Sequence, residues 1–223
     1  MAYEFEHLEE LVVGLYDRGA IRFSNFEWVL KSGRKSPLFV NQRPITSFKH
    51  GVDLSIDQQK RIRDLAVDAY SGGIDALDKP YEHLYGIPQG LTPLAAMVAE
   101  RRGDSILWGR VGDKSYGIHS QLEGDYVDGQ FVVPLDDVVT TAKSKFEAAD
   151  ALGEASLMTA GFVVMFDREE GGAEGVRDAG HDLVAVTGLV GSMAILGDAG
   201  RIGQQEFDWI AKYHQDLRAE GQL

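Results

Sequence analysis

The stretch FVVPLDDVVTTAKS, residues 131–144, decides the fold, because an apolar run ends there in two adjacent carboxylates and a group of hydroxyl residues. If the run is a buried strand, Asp136 and Asp137 emerge at its carboxyl end, where open α/β sheets bind ligands. The hydroxyl residues that follow are Thr140, Thr141 and Ser144. They fall in the turn before the next helix, whose free N–H groups and dipole favour an anion. The segment therefore predicts a site for a phosphorylated ribose.

The two carboxylates suit the sugar part of such a ligand. They accept hydrogen bonds from ribose hydroxyls, and they stabilise a cationic sugar transition state or a nearby magnesium shell. A plainer alternative is that Asp136 or Asp137 only caps a helix and that the threonines favour β-structure. That alternative explains each residue alone, whereas the ordered combination favours the sugar-phosphate site.

Around this segment, short apolar runs alternate with amphipathic stretches from about residue 83, which is typical of a parallel sheet flanked by helices. LTPLAAMVAERR, residues 91–102, predicts a helix with a proline near its start. The polar, glycine-containing stretch 110–129 predicts a mobile loop. The other predicted strands are HLYGIP (83–88), SILWGR (105–110), GFVVMFDR (161–168) and DLVAVTGL (182–189).

Four amphipathic helices are predicted outside this pattern. Two lie in the first part of the chain and end at Gly19 and near Gly72. One covers 143–152, and a structural closing helix covers 204–218. Their apolar faces are Phe146, Ala149 and Leu152 for the former, and Phe207, Ile210, Ala211 and Leu217 for the latter. Short apolar pieces interrupted by KSGRKSP fill residues 26–45. Neither an internal repeat nor a flexible linker between domains is visible in the sequence.

We expect a small N-terminal hood, residues 1–50, and a core, residues 51–223.

Composition narrows the class of protein. The 223 residues are 44% hydrophobic, enough for one substantial core. There is no cysteine, so disulfides, thiolate metal sites and thiol nucleophiles are excluded. The N-terminal stretch is acidic rather than basic, and no apolar run reaches the roughly 18 residues of a membrane span. We expect a soluble, cytoplasmic protein that does not bind a membrane.

The formal net charge of −13 argues against a nucleic-acid binder. An anionic substrate would need local cations, and two clusters offer them. They are Lys31, Arg34 and Lys35, and then Arg101, Arg102, Arg110 and Lys114. Either cluster could equally be solvated surface. The histidines show no paired metal spacing, and neither a Gly-x-Ser-x-Gly elbow nor a Walker or Rossmann glycine pattern is present.

Several segments together resemble a known family. The apolar strand with Asp-Asp-Val-Val-Thr-Thr is similar to the phosphoribosyl-diphosphate signature of type I phosphoribosyltransferases. Four further segments resemble orotate phosphoribosyltransferase in family order: LKSGRKSPLFVNQRP (30–44), YGIPQGLTPLA (85–95), GRVGDKSYGIHSQLEG (109–124) and FDREEGG (166–172). The resemblance implies a homodimer with shared sites that converts orotate and phosphoribosyl diphosphate to orotidine monophosphate and pyrophosphate. It also implies Mg²⁺, bound through substrate phosphates and ribose hydroxyls without a dedicated protein cage.

The same resemblance assigns roles to individual residues. Asp136 and Asp137 serve the ribose, and Arg110 and Lys114 hold the diphosphate from a loop that closes over the site. Asp136, Asp137 and Lys114 are the implied catalytic residues. The implied substrate-binding residues are Lys31, Phe39, Arg110, Tyr116, Thr140, Thr141, Ala142, Lys143, Ser144 and Arg168. Of these, Phe39 borders the pyrimidine ring and Arg168 contacts orotate, a suitable pairing of a guanidinium with an anionic ring. A surface ion pair of Arg168 with Glu169 or Glu170 is the alternative.

The chain departs from the family pattern at three places. Val111 stands where the family loop usually carries a second lysine, and Tyr116 stands where many members have histidine. Ala142 and Lys143 replace a glycine-rich tail after the threonines. If the backbone there is left-handed, a non-glycine residue costs roughly 1–2 kcal/mol. Lys143 either binds the 5′-phosphate or is a solvated first turn.

Two alternatives to an orotate enzyme stay open at this stage. One is a phosphoribosyltransferase for another base. The other is a phosphoribosyl-diphosphate-binding regulator with little catalysis. The retained Lys31, Arg110, Lys114 and Arg168 favour catalysis on orotate, because a pure sensor does not need loop cations and a base site.

Overall fold

The computed structural model describes the chain except for residues 1–2, 31–34, 50–52, 89, 110–121 and 222–223, and except for the side chains of Phe26 and Glu27. The described chain contains both helices and strands. The strands are β1 (Ile21–Val29), β2 (Lys35–Val40), β3 (His83–Gly86), β4 (Ser105–Gly109), β5 (Leu122–Glu123), β6 (Phe131–Val139), β7 (Met158–Thr159), β8 (Phe162–Asp167) and β9 (Leu183–Gly188). The helices are α1 (Leu8–Asp17), α2 (Ile56–Leu77), α3 (Thr92–Arg102), α4 (Lys143–Glu154), α5 (Gly172–Asp178), α6 (Leu189–Asp198) and α7 (Gln204–Ala219). Helices and strands alternate mainly between α2 and β4 and between β8 and α6.

A seven-stranded sheet forms the centre of the fold, in the order β5-β4-β3-β6-β8-β9, with β7 also paired to β6. Every pair is parallel except β4 with β5. The predicted α/β fold with a parallel sheet is therefore confirmed. All five predicted strands are present, within a few residues of their predicted bounds. The antiparallel strand β5 was not predicted and lies in the stretch assigned to the loop.

Strand β6 lies in the middle of the sheet, between β3 and β8. The first half of the strand is apolar on both of its faces. Val132 to Leu135 are all buried, as expected for a strand with helices on both faces. Val133 and Leu135 belong to the main core together with α1, α2 and α3. Val132 belongs to a second core with α4. The strand is thereby fixed from both faces just before its two carboxylates.

Helix α2 is longer than its sequence pattern predicted. Its start is a capping box in which Ser55 Oγ accepts the N–H of Gln58, and Gln58 Oε1 accepts the N–H of Ser55. The predicted end near Gly72 is wrong, because the helix continues to Leu77. Gly72 and Gly73 provide close packing instead of a stop. A methyl group added at Gly73 would come within 2.7 Å of Val163 Cγ1 on strand β8.

The N-terminal region is a hairpin of β1 and β2 with Ile21 opposite Val40, preceded by α1, which ends near a left-handed Gly19 as predicted. Leu38 and Ile45 are buried in the main core together with residues of the sheet. The two ranges 1–50 and 51–223 therefore contribute to one core. The expected boundary between them stays a prediction.

The closing helix α7 is confirmed and packs against β1 and β2. Its apolar face was partly misassigned. Ile210 and Leu217 are buried and Phe207 is partly buried, but Ala211 is exposed and Tyr213 is buried instead. Within the described parts of the chain, none of the helices combines the length and apolarity needed to cross a bilayer.

Candidate functional site

Asp136 and Asp137 lie in the last part of strand β6 and point to opposite sides of the sheet, because successive strand residues alternate. Asp136 faces helix α4. Its Oδ2 accepts Lys145 Nζ at 2.7 Å and Ser144 Oγ at 3.1 Å. Its Oδ1 accepts the backbone N–H of Asp137 at 2.9 Å. The carboxylate of Asp136 is therefore held by the residues that open α4.

Asp137 faces the segment that follows the hairpin. Its carboxylate accepts the backbone N–H of Gln42. A methyl group added at Gly90 would lie 3.8 Å from Asp137 Oδ2 and 3.7 Å from Arg43 Nε, so these groups border a common space. Burial raises the pKa of Asp137 to about 7, and the neighbouring charge of Asp136 adds to the rise, while the charge of Lys145 opposes it. Perturbed carboxyl groups of this kind are frequent at functional sites.

Tyr70 of α2 holds the backbone of Asp136 in place, and the sequence analysis did not identify it. This fully buried residue of α2 donates its hydroxyl hydrogen to the backbone carbonyl of Asp136 at 2.7 Å, and its oxygen lies 3.2 Å from Gln42 Oε1. Burial raises the pKa of Tyr70 well above its usual value, and the charges of Asp137 and Asp136 add to this. Tyr70 therefore stays neutral and acts as a hydrogen-bond donor.

The loop between β6 and α4 contains a left-handed residue, at the position where the sequence analysis considered a left-handed backbone. Ala142 is the N-cap of α4 at φ 61° and ψ −7°, and it is 3% exposed. Its side chain does not cap the helix. The N–H of Lys145 donates to the carbonyl of Ala142 at 2.8 Å, whereas the first two N–H groups of a helix have no partner within it. Gly172 allows close contact here, because an added methyl group would come within 2.0 Å of the Thr140 carbonyl oxygen. The geometry suits an anion at the start of the helix.

The two lysines of this turn have different environments. Lys143 is 81% exposed at its side chain, and its Nζ lies 3.7 Å from Glu147 Oε1. Contact of Lys143 with a 5′-phosphate stays a prediction. Lys145 is only 1% exposed at its side chain and was missed. A signal existed, since Lys145, Ala148 and Leu152 follow one another at helical spacing and share the buried face of α4.

Arg168 lies in the junction between the core and the hairpin. It is 2% exposed, and it donates to Glu170 Oε1 at 2.6 Å, to the carbonyl of Leu38 at 3.1 Å and to Ser36 Oγ at 2.7 Å. The ion pair with Glu170 exists, but it is buried rather than at the surface. Direct contact of Arg168 with orotate stays a prediction.

Phe39 lies on the hairpin, partly exposed. Its ring stacks on Trp28 with the ring centroids 5.7 Å apart, and the guanidinium of Arg22 lies 5.7 Å from its centroid. A partly exposed aromatic ring can border a flat heterocycle. Its contact with the pyrimidine stays a prediction.

Arg101 and Arg102 from the second cationic cluster do not belong to this site. Arg101 pairs with Asp68 of α2, and Arg102 pairs with Asp75 at 2.9 Å and Asp104 at 2.8 Å. These contacts lie at the amino-terminal edge of β4, opposite the edge that carries Asp137. The two arginines are structural.

Comparison with known proteins decides the family. No family model matches the chain. It is 35% identical over 188 residues to the orotate phosphoribosyltransferase of Methanocella arvoryzae, a match that covers 84% of this chain and 97% of that protein. The chain belongs to the orotate phosphoribosyltransferase family. The family resemblance inferred from the sequence is thus confirmed.

Solved structures of this family share the fold. The orotate phosphoribosyltransferase of Aeropyrum pernix is 29% identical and superposes with a TM-score of 0.64, over 85% of this chain and 99% of that one. The UMP synthase of Leishmania donovani is 25% identical with a TM-score of 0.81, over 95% of this chain and 42% of that one.

Some relatives in the orotate phosphoribosyltransferase family are longer proteins. The chain is 30% identical to the bifunctional enzyme PyrF/PyrE of Nostoc sp. over 90% of its own length, and 28% identical to the uridine 5′-monophosphate synthase of Bos taurus over 94%. It spans 39% and 41% of their respective lengths.

Several orotate phosphoribosyltransferase residues assigned from the sequence lie outside the described residues. They are Lys31, Arg34, Arg110, Val111, Lys114 and Tyr116. The interpretations given to them, and the closing loop to which the last four belong, stay predictions.

Proposed function

We propose that the chain transfers the phosphoribosyl group of phosphoribosyl diphosphate to orotate, giving orotidine 5′-monophosphate and pyrophosphate in pyrimidine biosynthesis. The observation that carries this proposal is that Asp137 and the left-handed Ala142 turn both lie at the carboxyl end of β6, in a member of this family. Asp137 offers oxygen acceptors for ribose hydroxyls, and the turn offers N–H donors for the 5′-phosphate. One ligand with both groups fits this pair of features.

In this proposal, the residues act by stabilising charge. As pyrophosphate departs, positive charge builds on the ribose, and Asp136 and Asp137, consecutive residues near the end of β6, stabilise it in this proposal. Arg110 and Lys114 neutralise the departing diphosphate by the family resemblance. Closure of their loop excludes water and prevents hydrolysis of the ribosyl group.

The base is bound, in the same proposal, from the hairpin side. Lys31 approaches the diphosphate or the pyrimidine, and Phe39 borders the ring. Arg168 contacts orotate from the junction where it now contacts Leu38 and Ser36. The guanidinium has five N–H donors, and its contacts with Glu170, Leu38 and Ser36 use three of them, so two remain for the substrate.

Magnesium is proposed as the cation of the reaction. Among the described residues, no group of three or more His, Asp or Glu side chains is placed to hold a metal ion. Asp136 and Asp137 offer carboxylate oxygens near the proposed ribose position, which suits a Mg²⁺ held mainly by substrate phosphates and ribose hydroxyls. When bound, the ion neutralises charge on the leaving diphosphate. Asp136 and Asp137 then orient the ribose hydroxyls.

We further propose a cytoplasmic homodimer with shared active sites, because the family resemblance places the loop of one subunit over the site of the other. Orotate and phosphoribosyl diphosphate are the proposed ligands, with neither nucleic acid nor membrane as a partner. The net charge of −13 agrees with the exclusion of nucleic acid.

Steady-state consumption of orotate tests the proposed reaction. Orotate absorbance should fall only when phosphoribosyl diphosphate and Mg²⁺ are both present. Omission of either component is the control. Binding of phosphoribosyl diphosphate without any loss of orotate would reject the orotate reaction and favour a regulator or a transferase for another base.

A further inference from the structure

Lys145 is a buried cation beside the proposed phosphate turn. Its side chain is 1% exposed, and its ammonium group has three acceptors: Asp136 Oδ2 at 2.7 Å, Ser144 Oγ at 3.4 Å and the carbonyl oxygen of Val138. An ammonium group has three N–H donors. All three can therefore be used within this one cluster.

The acceptors of Lys145 belong to the parts of the site that must keep their relative position. Asp136 is one of the two ribose carboxylates, Val138 precedes the turn, and Ser144 follows it in the first turn of α4. Ser144 Oγ also donates to Asp136 Oδ2 at 3.1 Å. The lysine thus connects the strand end with the helix start across the loop.

Stability alone does not explain a lysine at this position. Burying a charge is costly, and a buried ion pair is often no more stable than apolar residues of similar volume. Lys145 shares its helix face with Ala148 and Leu152, so an apolar side chain would extend an existing apolar surface. A role in holding the site is the better explanation.

We propose that Lys145 is a positioning residue, which holds Asp136 and Ser144 together at the base of the turn that binds the 5′-phosphate. This inference rests on the proposed function, because it assigns the turn to phosphoribosyl diphosphate. It does not depend on the identity of the base.

The test compares two lysine-to-methionine variants of the full chain. Lys145→Met removes the buried cation. Lys79→Met is the matched control, since Lys79 Nζ also pairs with a carboxylate at 2.8 Å, that of Asp182, but is 47% exposed and lies at the opposite edge of the sheet. Calorimetry measures the binding of phosphoribosyl diphosphate alone, and kinetics measure KM for each substrate. Circular dichroism gives the temperature range in which each variant is folded.

The expected result for Lys145→Met is an affinity for phosphoribosyl diphosphate at least tenfold weaker, with the KM for orotate changed less than twofold. Lys79→Met should change neither value by more than twofold. Unchanged affinity in folded Lys145→Met protein, with only a lower melting temperature, would mean that the lysine has a structural role alone. That outcome would overturn the proposal.

A double variant keeps the test decisive if Lys145→Met does not fold. Asp136→Asn/Lys145→Met removes both charges and is compared with Asp136→Asn alone. The double variant should bind phosphoribosyl diphosphate several-fold more weakly than the single one, and equal affinities would overturn the proposal. If the parent binds the diphosphate but does not consume orotate, the proposed reaction fails while the Lys145 test remains valid. A parent that does not bind the diphosphate overturns both.

Discussion

Replacing Asp137 by asparagine should stabilise the protein at alkaline pH while removing its activity. The pKa of Asp137 is raised to about 7 in the folded chain, compared with about 3.9 in an unfolded one. The folded state therefore favours the protonated carboxyl group. Stability from this group is fully present below pH 4 and is lost as the pH rises through 7.

The magnitude follows from the two pKa values. Each factor of ten in proton affinity is worth about 1.4 kcal/mol, so ionised Asp137 lowers the free energy of unfolding by at most about 4 kcal/mol above pH 7. An asparagine keeps an oxygen that can accept the N–H of Gln42 and carries no charge. Asp137→Asn should thus raise the free energy of unfolding at pH 8 by up to about 4 kcal/mol, and by less than about 1 kcal/mol at pH 4.

Urea unfolding at pH 8 and pH 4 measures this difference, with Asp136→Asn as the matched control. Asp136 is the partner of buried Lys145 at 2.7 Å. Removing its charge should lower the free energy of unfolding at pH 8 by roughly 3–5 kcal/mol. The same substitution at two neighbouring residues should therefore change the free energy of unfolding at pH 8 in opposite directions. Destabilisation by Asp137→Asn, equal at both pH values, would refute the argument that burial raises its pKa.

The activity of the same variant completes the test. Asp137→Asn should reduce turnover by about 10²-fold or more, since charge stabilisation in a transition state is commonly of this size. Orotate binding should change much less. Turnover equal to that of the parent would remove Asp137 from the proposed mechanism.

Three further substitutions test separate parts of the account. Ala142→Gly relieves about 1–2 kcal/mol of left-handed strain but loses a buried methyl group, about 0.8 kcal/mol, and adds unfolded-state entropy of about 0.4–1 kcal/mol. In urea unfolding, the free energy of unfolding of this variant should therefore lie within about 1 kcal/mol of that of the parent. Ala148→Gly, in the interior of α4, should lower it by about 2 kcal/mol. Equal losses in the two variants would contradict the left-handed turn. Arg168→Met should lower the free energy of unfolding by roughly 3–5 kcal/mol in the same assay, because it removes the guanidinium beside buried Glu170. A loss under about 1 kcal/mol would contradict the buried ion pair of Arg168 with Glu170. Lys114→Ala should lower turnover more than orotate affinity in steady-state and binding assays, and unchanged turnover would reject its assigned role.

The sheet could be predicted from the sequence because its strands are buried on both faces. Such strands appear as short, continuous apolar runs, as in residues 131–135 and 162–166. Helix ends were harder to predict. Gly72 and Gly73 resemble a stop signal locally, but distant residues Tyr3 and Val163 require small residues there. That requirement is set by tertiary packing, which local patterns do not contain.

The site was predictable to the extent that it lies in one segment. Asp136, Asp137 and the turn at Ala142 are consecutive, so their order alone indicated their chemistry. The groups that set the properties of Asp137 are far away in the chain. Gln42 donates its backbone N–H to Asp137, and Tyr70 of α2 contacts Gln42 Oε1 and the carbonyl of Asp136; nothing in their local sequence indicates this.

Lys145 was missed for a related reason. A lysine in the first turn of an amphipathic helix is usually solvated, and the neighbouring Lys143 follows that rule. Lys145 is buried because Asp136 lies beneath the start of α4. Its position on the same face as Ala148 and Leu152 was the one local sign of this.

The most direct test of the proposed function is a product balance. Purified protein is incubated with phosphoribosyl diphosphate, Mg²⁺ and one base at a time, and orotidine monophosphate and pyrophosphate are quantified. With orotate, the two products should form in equal amounts, and adenine, hypoxanthine and uracil should give none. Products from another base but not from orotate, or pyrophosphate without any nucleotide, would contradict the account.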